Sequence, residues 1–121
     1  MQDTLKDMLV RLRADNDLDL AAISADGMIV DADFEDGLDV DAICATAGDG
    51  YLMMDALSQE LHRGEQAMLT IEYAQGSLLI YALEHGAVLV MLTGSAVNLG
   101  RLRLAARRFQ ANYVEASAVA A

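Results

Sequence analysis

Six carboxylates crowd one stretch of this chain, Asp31, Asp33, Glu35, Asp36, Asp39 and Asp41, and they are its one candidate for binding a metal cation. A calcium loop wants oxygen ligands at positions 1, 3 and 5, glycine at 6 and a bidentate glutamate at 12. Counted from Asp31, glycine falls at position 7 and position 12 is Ala42, so the pattern fails twice. A charged, solvated strand edge that repels other strands, followed by Asp39 as a helix cap, accounts for the same residues. No metal site is expected. Cys44 stands alone between Ile43 and Ala45 and reads as a buried thiol, since a reactive one needs exposure and a neighbouring cation. His62 and His85 fall at a helix end and a turn, with no serine or cysteine nearby to activate, so no catalytic residue is expected. Gly48-Asp49-Gly50 looks like a fragment of a phosphate loop, yet it falls inside a helical pattern and not after a strand. Without a Walker-type glycine loop, a zinc-protease helix motif or a Cys-x-x-Cys pair, no cofactor is expected either.

Composition narrows the remaining classes. The 121 residues carry a net charge of −11, which disfavours phosphate backbones and anionic membranes as partners, so neither nucleic acid nor membrane insertion is expected. The apolar runs are too short to span a bilayer, and the N-terminus lacks a basic segment followed by an apolar one, which points to a cytoplasmic protein. Length and a 55% hydrophobic content suit one domain over residues 1–121. Charge is uneven along the chain. Residues 1–60 hold 15 acids and 3 bases and residues 61–121 hold 4 acids and 5 bases, compatible with head-to-tail attraction or simply with two solvated faces.

The elements that would position any site follow from periodicity. Residues 66–73 alternate, with Ala67, Leu69, Ile71 and Tyr73 opposite Gln66, Thr70 and Glu72, as in a half-buried edge strand. Residues 77–83 and 87–92 are apolar on both faces and should be covered above and below. Glycine in the connections 74–76 and 85–86 makes these three strands a meander. Upstream, 18–25 reads as a central strand with Leu18, Leu20 and Ala22 opposite Ala21 and Ile23. Asp26-Gly27 marks a hairpin into 28–34, where Met28, Val30, Ala32 and Phe34 share a face. With edges at 28–34 and 66–73, the sheet order becomes 2-1-5-4-3.

Helices supply the covers. Leu5, Met8, Leu9 and Leu12 place an amphipathic helix at 4–15, capped by Asp3 or Thr4, and Leu99, Leu102, Ala106, Phe109 and Tyr113 place another at 95–116, with 117–121 a frayed end. Between them, 39–61 is long enough for one helix of about six turns crossing the sheet. The expected fold class is therefore α+β, an α/β sandwich. A five-stranded antiparallel sheet has one long helix on one face and the two terminal helices on the other. Small residues in the long helix, Ala42, Ala45, Ala47, Gly48, Gly50 and Ala56, admit either close packing on the sheet or a partner helix. Because Tyr51, Leu52, Met53, Met54 and Leu57 extend its apolar surface nearly round the axis, it needs two burial surfaces, and a homodimer is expected.

The order helix, two strands, long helix, three strands, helix resembles the roadblock/dynein light chain family, with its profilin-like layers. Gly64-Glu65 before Thr70-Ile71-Glu72-Tyr73, then Gly76, Gly86-Ala87-Val88-Leu89 and Asn98-Leu99-Gly100-x-Leu102-Arg103, are similar to bacterial members of the MglB-like type. Glycines 48 and 50 depart from the family's pattern. The resemblance implies a homodimer in which strand 66–73 pairs with its twin and the long helices lie side by side, with Met68, Leu69, Thr70, Ile71, Ala45, Gly48 and Leu52 in the interface. It also implies a Ras-like small GTPase as partner, bound in its GTP form and stimulated by reshaping of the GTPase's own site, without an arginine finger and without enzymatic residues of this chain. Tyr51, Met54 and Asp55 are the expected partner contacts. Two alternatives stand beside this: a scaffold of the same fold that leaves hydrolysis unchanged, and a small-molecule sensor with a pocket between sheet and helices.

Overall fold

The computed structural model describes residues 4–120, with side chains through residue 116, so Asp3 and Ala121 lie outside the described residues. Helix α1 (Leu5–Asn16) begins at a capping box: the Thr4 hydroxyl accepts the Asp7 N–H and the Asp7 carboxylate accepts the Thr4 N–H. It ends at Asp17, whose left-handed φ of 53° turns the chain into strand β1 (Leu18–Ala25). Asp26 and Gly27, both at positive φ, make the tight hairpin to β2 (Met28–Phe34).

Two bulges, one between β1 and the last strand and one within the hairpin, reassign residues that simple alternation places together. In β1 the pairing with the last strand steps from Leu18 directly to Leu20, leaving Asp19 over, so Leu18 faces the opposite side of the sheet from Leu20 and Ala22. In β2 the partners step from Asp31 to Ile29, leaving Val30 over. Ile29 therefore turns toward the sheet face that Ala32 also uses, while Met28 and Val30 stay 73% and 54% exposed. A bulge shifts the period-2 count by one, which no alternation rule anticipates.

Helix α2 (Val40–Asp55) is capped by Asp39, whose carboxylate accepts the Ala42 N–H. It stops short of the expected six turns. The Leu57 N–H bonds to the Met54 carbonyl, a tightened turn that redirects the chain into the separate four-residue helix α3 (Ser58–Leu61), closed by His62 at φ 54°. Strand β3 (Met68–Tyr73) then pairs with β4 (Gly76–Ala82), and β4 with β5 (Ala87–Thr93), in the order β2-β1-β5-β4-β3. Gly76 is obligatory, because a Cβ there would lie 2.1 Å from the Thr93 carbonyl oxygen. The β4–β5 connection is a short 3-10 turn at Glu84–Gly86, with His85 and Gly86 at positive φ.

Helix α4 (Leu99–Ala120) starts at the first residue of its apolar stripe and not at the expected 95, at the point where the Asn98 carboxamide oxygen accepts the Arg101 N–H. It also runs past residue 116: alanine and serine extend an established helix readily, so the expected frayed end at 117–120 is helical instead. Helices α1 and α4 cover one sheet face around Leu9, Ile23, Leu79, Leu89 and Leu102, and α2 covers the other around Leu20, Cys44, Ile80 and Val90.

The two sheet edges differ. At β2 the outward N–H of Ala32 donates to the Asp31 carboxylate, and the Ala32 carbonyl accepts the Lys6 ammonium; with the bulge at Val30, this edge is closed to another strand. At β3 the Ala82 N–H donates to the Ala67 carbonyl, and the register Met68↔Tyr81 continues from that pair. Antiparallel bonds alternate, so Leu69, Ile71 and Tyr73 bond inward while Met68, Thr70 and Glu72 turn their backbone groups outward. Among the described residues, no side chain occupies them.

Candidate functional site

The surface that joins α2, α3 and the open β3 edge combines unpaired backbone with exposed apolar side chains. Inward, α2 buries Val40, Cys44 and Ala47 against the sheet. That burial, with the Asp41 carboxylate second, raises the Cys44 thiol pKa to about 11, so the thiol is neutral at ordinary pH and structural. Outward, α2 presents Ala45, Leu52 and Met53, and the apolar strip continues onto Leu57 and Leu61 beyond the helix break. Leu52 and Met53 are 68% and 72% exposed, far more than a helix of a closed monomer normally leaves in water.

A hydrogen-bonded clamp holds this strip beside β3. The Tyr51 hydroxyl donates to the Gln66 carbonyl at 2.9 Å, the Gln66 carboxamide donates to the Tyr51 carbonyl at 3.0 Å, and the Gln66 N–H donates to the Asp55 carboxylate at 3.3 Å. Gln66 is thereby drawn to α2, which is why β3 begins at Met68 and not at 66. Burial, and then the adjacent Asp55 carboxylate, push the Tyr51 phenol above its ordinary range, against the Gln66 side-chain carboxamide, which pulls the other way.

The sequence-derived residues thus divide. Met68, Leu69, Thr70 and Ile71 form the open edge strand and are half-buried; Ala45 and Leu52 lie on the outward face of α2. Gly48 instead turns toward the β1–β2 hairpin, 3.8 Å from the Gly27 Cα measured from where its Cβ would be, so close packing within the monomer accounts for a small residue there. Met54 is at the surface, whereas Tyr51 and Asp55 are engaged in the clamp, positioning the strip as well as bordering it. Met53, Leu57, Leu61 and Gln66 belong to this surface but were not among the expected site residues. The i, i+4 spacing of 53, 57 and 61 was visible in the sequence; the clamp was not.

Among the described residues no group of three His, Cys, Asp or Glu side chains could hold a metal ion, and His62 and His85 occupy turns. The carboxylates of 31–41 spread along β2 and its exit, with Asp39 spent on its helix cap. No helix among the described residues is long and apolar enough to cross a membrane.

A five-stranded sheet in the order 2-1-5-4-3, with one helix layer on each face, defines a roadblock-type fold. No family model and no curated protein matches this chain by sequence. Solved structures do match it. Myxococcus xanthus MglB superposes with a TM-score of 0.83 at 16% identity, over 93% of this chain and 96% of that one. A Roadblock/LC7 domain from Streptomyces avermitilis gives 0.80 at 16% identity, over 88% and 92%. The gliding protein MglB of Thermus thermophilus gives 0.78 at 14% identity, over 87% and 82%. The chain therefore has the roadblock fold in the form that MglB displays.

Proposed function

We propose that this protein is a homodimeric regulator of a Ras-like small GTPase, acting by binding and not by supplying a catalytic group. The observation that carries the proposal is the exposed apolar strip of α2 and α3, Leu52, Met53, Leu57 and Leu61, set beside an edge strand whose outward backbone groups are unoccupied. An edge strand and an apolar helix face on one surface suit association with a twin, in which β3 pairs antiparallel about Thr70 and the two α2 helices approach through Ala45 and Leu52. Small residues on that face let helices come close. The apolar residues left over at the rim, Met53, Met54, Leu57 and Leu61, then form a composite surface for the GTPase.

Likeness to MglB structures and the resemblance already noted in 98–103 support the choice of GTPase as partner. Phosphoryl transfer gains from positioning as much as from added charge, so a protein without catalytic residues can accelerate it by holding the GTPase's own groups in place. The deciding experiment is single-turnover GTP hydrolysis by a Ras-like GTPase from the same organism, with and without this protein, alongside binding to its GTP and GDP forms. Acceleration with preference for the GTP form is expected. Equal binding to both forms without acceleration would make the protein a scaffold, and no binding to any such GTPase would overturn the proposal.

A further inference from the structure

Charge is sorted by layer in this molecule. Of its eight basic residues, seven lie on the α1/α4 layer: Lys6, Arg11 and Arg13 on α1 and all four arginines of α4. Only three acids lie on these two helices, Asp7, Asp15 and Glu115, so their formal charge is +4 while the rest of the chain carries −15; Asp33 of β2 pairs with Lys6 and Arg13, which leaves the arginines of α4 as the main positive surface. Solubility does not require such a division, since an acidic protein is soluble with its bases scattered.

The same layer has a trough between its two helices, of about 880 Å³. Its floor is apolar, from Met8, Leu12 and Phe109, and its rim carries Arg11, Arg101 and Arg108 against Asp15 and Glu115. Arg101 donates across it to the Asp15 carbonyl, closing one end. From residue 101 to 116 the trough follows about 22 Å of α4, the length of some four helical turns. Leu104, on its lip, is 52% exposed.

We propose that the α1/α4 trough is a docking site for an acidic amphipathic helix of a partner protein. An apolar stripe on such a helix fills the floor, and flanking carboxylates meet the arginine rim, the helix-in-groove mode of recognition with charge fixing the orientation. Concavity favours a helix over a flat anionic bilayer, which would touch the lips and leave the floor empty. A second copy's α2 is acidic too, but it lies on its own sheet with Val40, Cys44 and Ala47 buried and cannot sink into a trough. This site is separate from the α2/β3 surface, so it stands or falls independently of the GTPase proposal.

The test uses the full chain and a synthetic peptide of about sixteen residues, with leucine at i, i+3, i+4 and i+7 and glutamate elsewhere, against a scrambled peptide of the same composition. Binding measured calorimetrically should favour the ordered peptide. Arg108→Glu should weaken it at least about tenfold, while Arg107→Glu, the same charge change on an exposed residue outside the trough, should change it less than about threefold. Amide shifts on titration should cluster on 8–16 and 101–116. Leu104→Glu, at an exposed position that leaves the fold intact, should abolish binding. Several results would overturn the proposal: no binding of the ordered peptide, equal binding of the scrambled one, equal loss in the two arginine variants, or shifts centred on α2. So would uptake by vesicles containing phosphatidylserine that Arg108→Glu removes while the peptide fails to bind, or an Arg108-dependent self-association, which would name a membrane or a second copy as the occupant.

Discussion

Replacing Thr70 with proline tests the β3 edge with little damage to the monomer. The Thr70 N–H points away from β4, because Leu69 and Ile71 supply the inward bonds of the register Leu69↔Ile80 and Ile71↔Leu78. Proline is tolerated at an edge position whose donor faces solvent, so the variant should fold with nearly unchanged thermal stability. In a dimer paired about Thr70, the two-fold axis makes this residue its own partner, and one substitution removes both hydrogen bonds of the central pair. At a net 0.5–1.5 kcal/mol each, that loss is about 2 kcal/mol, or roughly a thirtyfold rise in the dimer dissociation constant. Sedimentation over a concentration series measures it. Thr70→Ala keeps the N–H and should shift the constant less than about threefold. A folded Thr70→Pro protein with an unaltered dissociation constant would refute pairing through this edge, and a monomeric wild-type protein at micromolar concentration would refute the dimer.

Other substitutions read out separate features. Met53→Glu, at a position 72% exposed, should leave unfolding free energy within about 0.5 kcal/mol of wild type yet abolish GTPase binding in a pull-down or calorimetric titration. Gly50→Ala has open space around the added methyl and should stabilise the fold by about 1 kcal/mol in urea unfolding. A simultaneous loss of dimer would place a close helix contact at residue 50. Cys44, with its pKa raised to about 11, should stay inert to thiol reagents in the native protein near pH 8. Folding favours its neutral form, so this stability is complete below the unfolded pKa of 9.0 and is lost as pH rises toward 11, by up to about 3 kcal/mol. Comparing the pH dependence of urea unfolding for wild type and Cys44→Ala isolates that contribution. Tyr51→Phe removes one bond of the clamp and should cost about 1 kcal/mol while loosening Gln66, seen as faster amide exchange at residues 66–69.

Much of the architecture was legible because the strongest signals are local. Asp26-Gly27 announced a hairpin that needs positive φ at both residues, and the doubly apolar runs at 77–83 and 87–92 announced central strands. Those two facts, with two polar-faced edges, force the order 2-1-5-4-3. What the sequence hid depended on one-residue insertions and on long-range polar contacts. Asp19 and Val30 are ordinary strand residues whose bulging is decided by their partners, so the faces of Leu18 and Met28 could not be read from alternation. The long helix broke after Asp55 without glycine or proline, at a place where Tyr51 and Asp55 reach Gln66 across the loop. The apolar excess at 51–57 signalled a surface in need of a partner, but which residues face outward depended on the helix's rotation over the sheet, and that placed Gly48 against the hairpin turn.

The Lys6 ammonium on the Ala32 carbonyl, with the bulge at Val30, limits how far such sheets can join, as functionality limits a polymerisation. A sheet with two reactive edges is a bifunctional monomer, and bifunctional monomers grow into chains without limit. Closing β2 leaves β3 as the single edge-pairing function among the described residues, and monofunctional units terminate each other at the first coupling. Lys6 is thus one part of a chain stopper: replaced by a short apolar residue, it would return the Ala32 carbonyl to the edge, while the Asp31 carboxylate on the Ala32 N–H and the bulge at Val30 would still hinder pairing there.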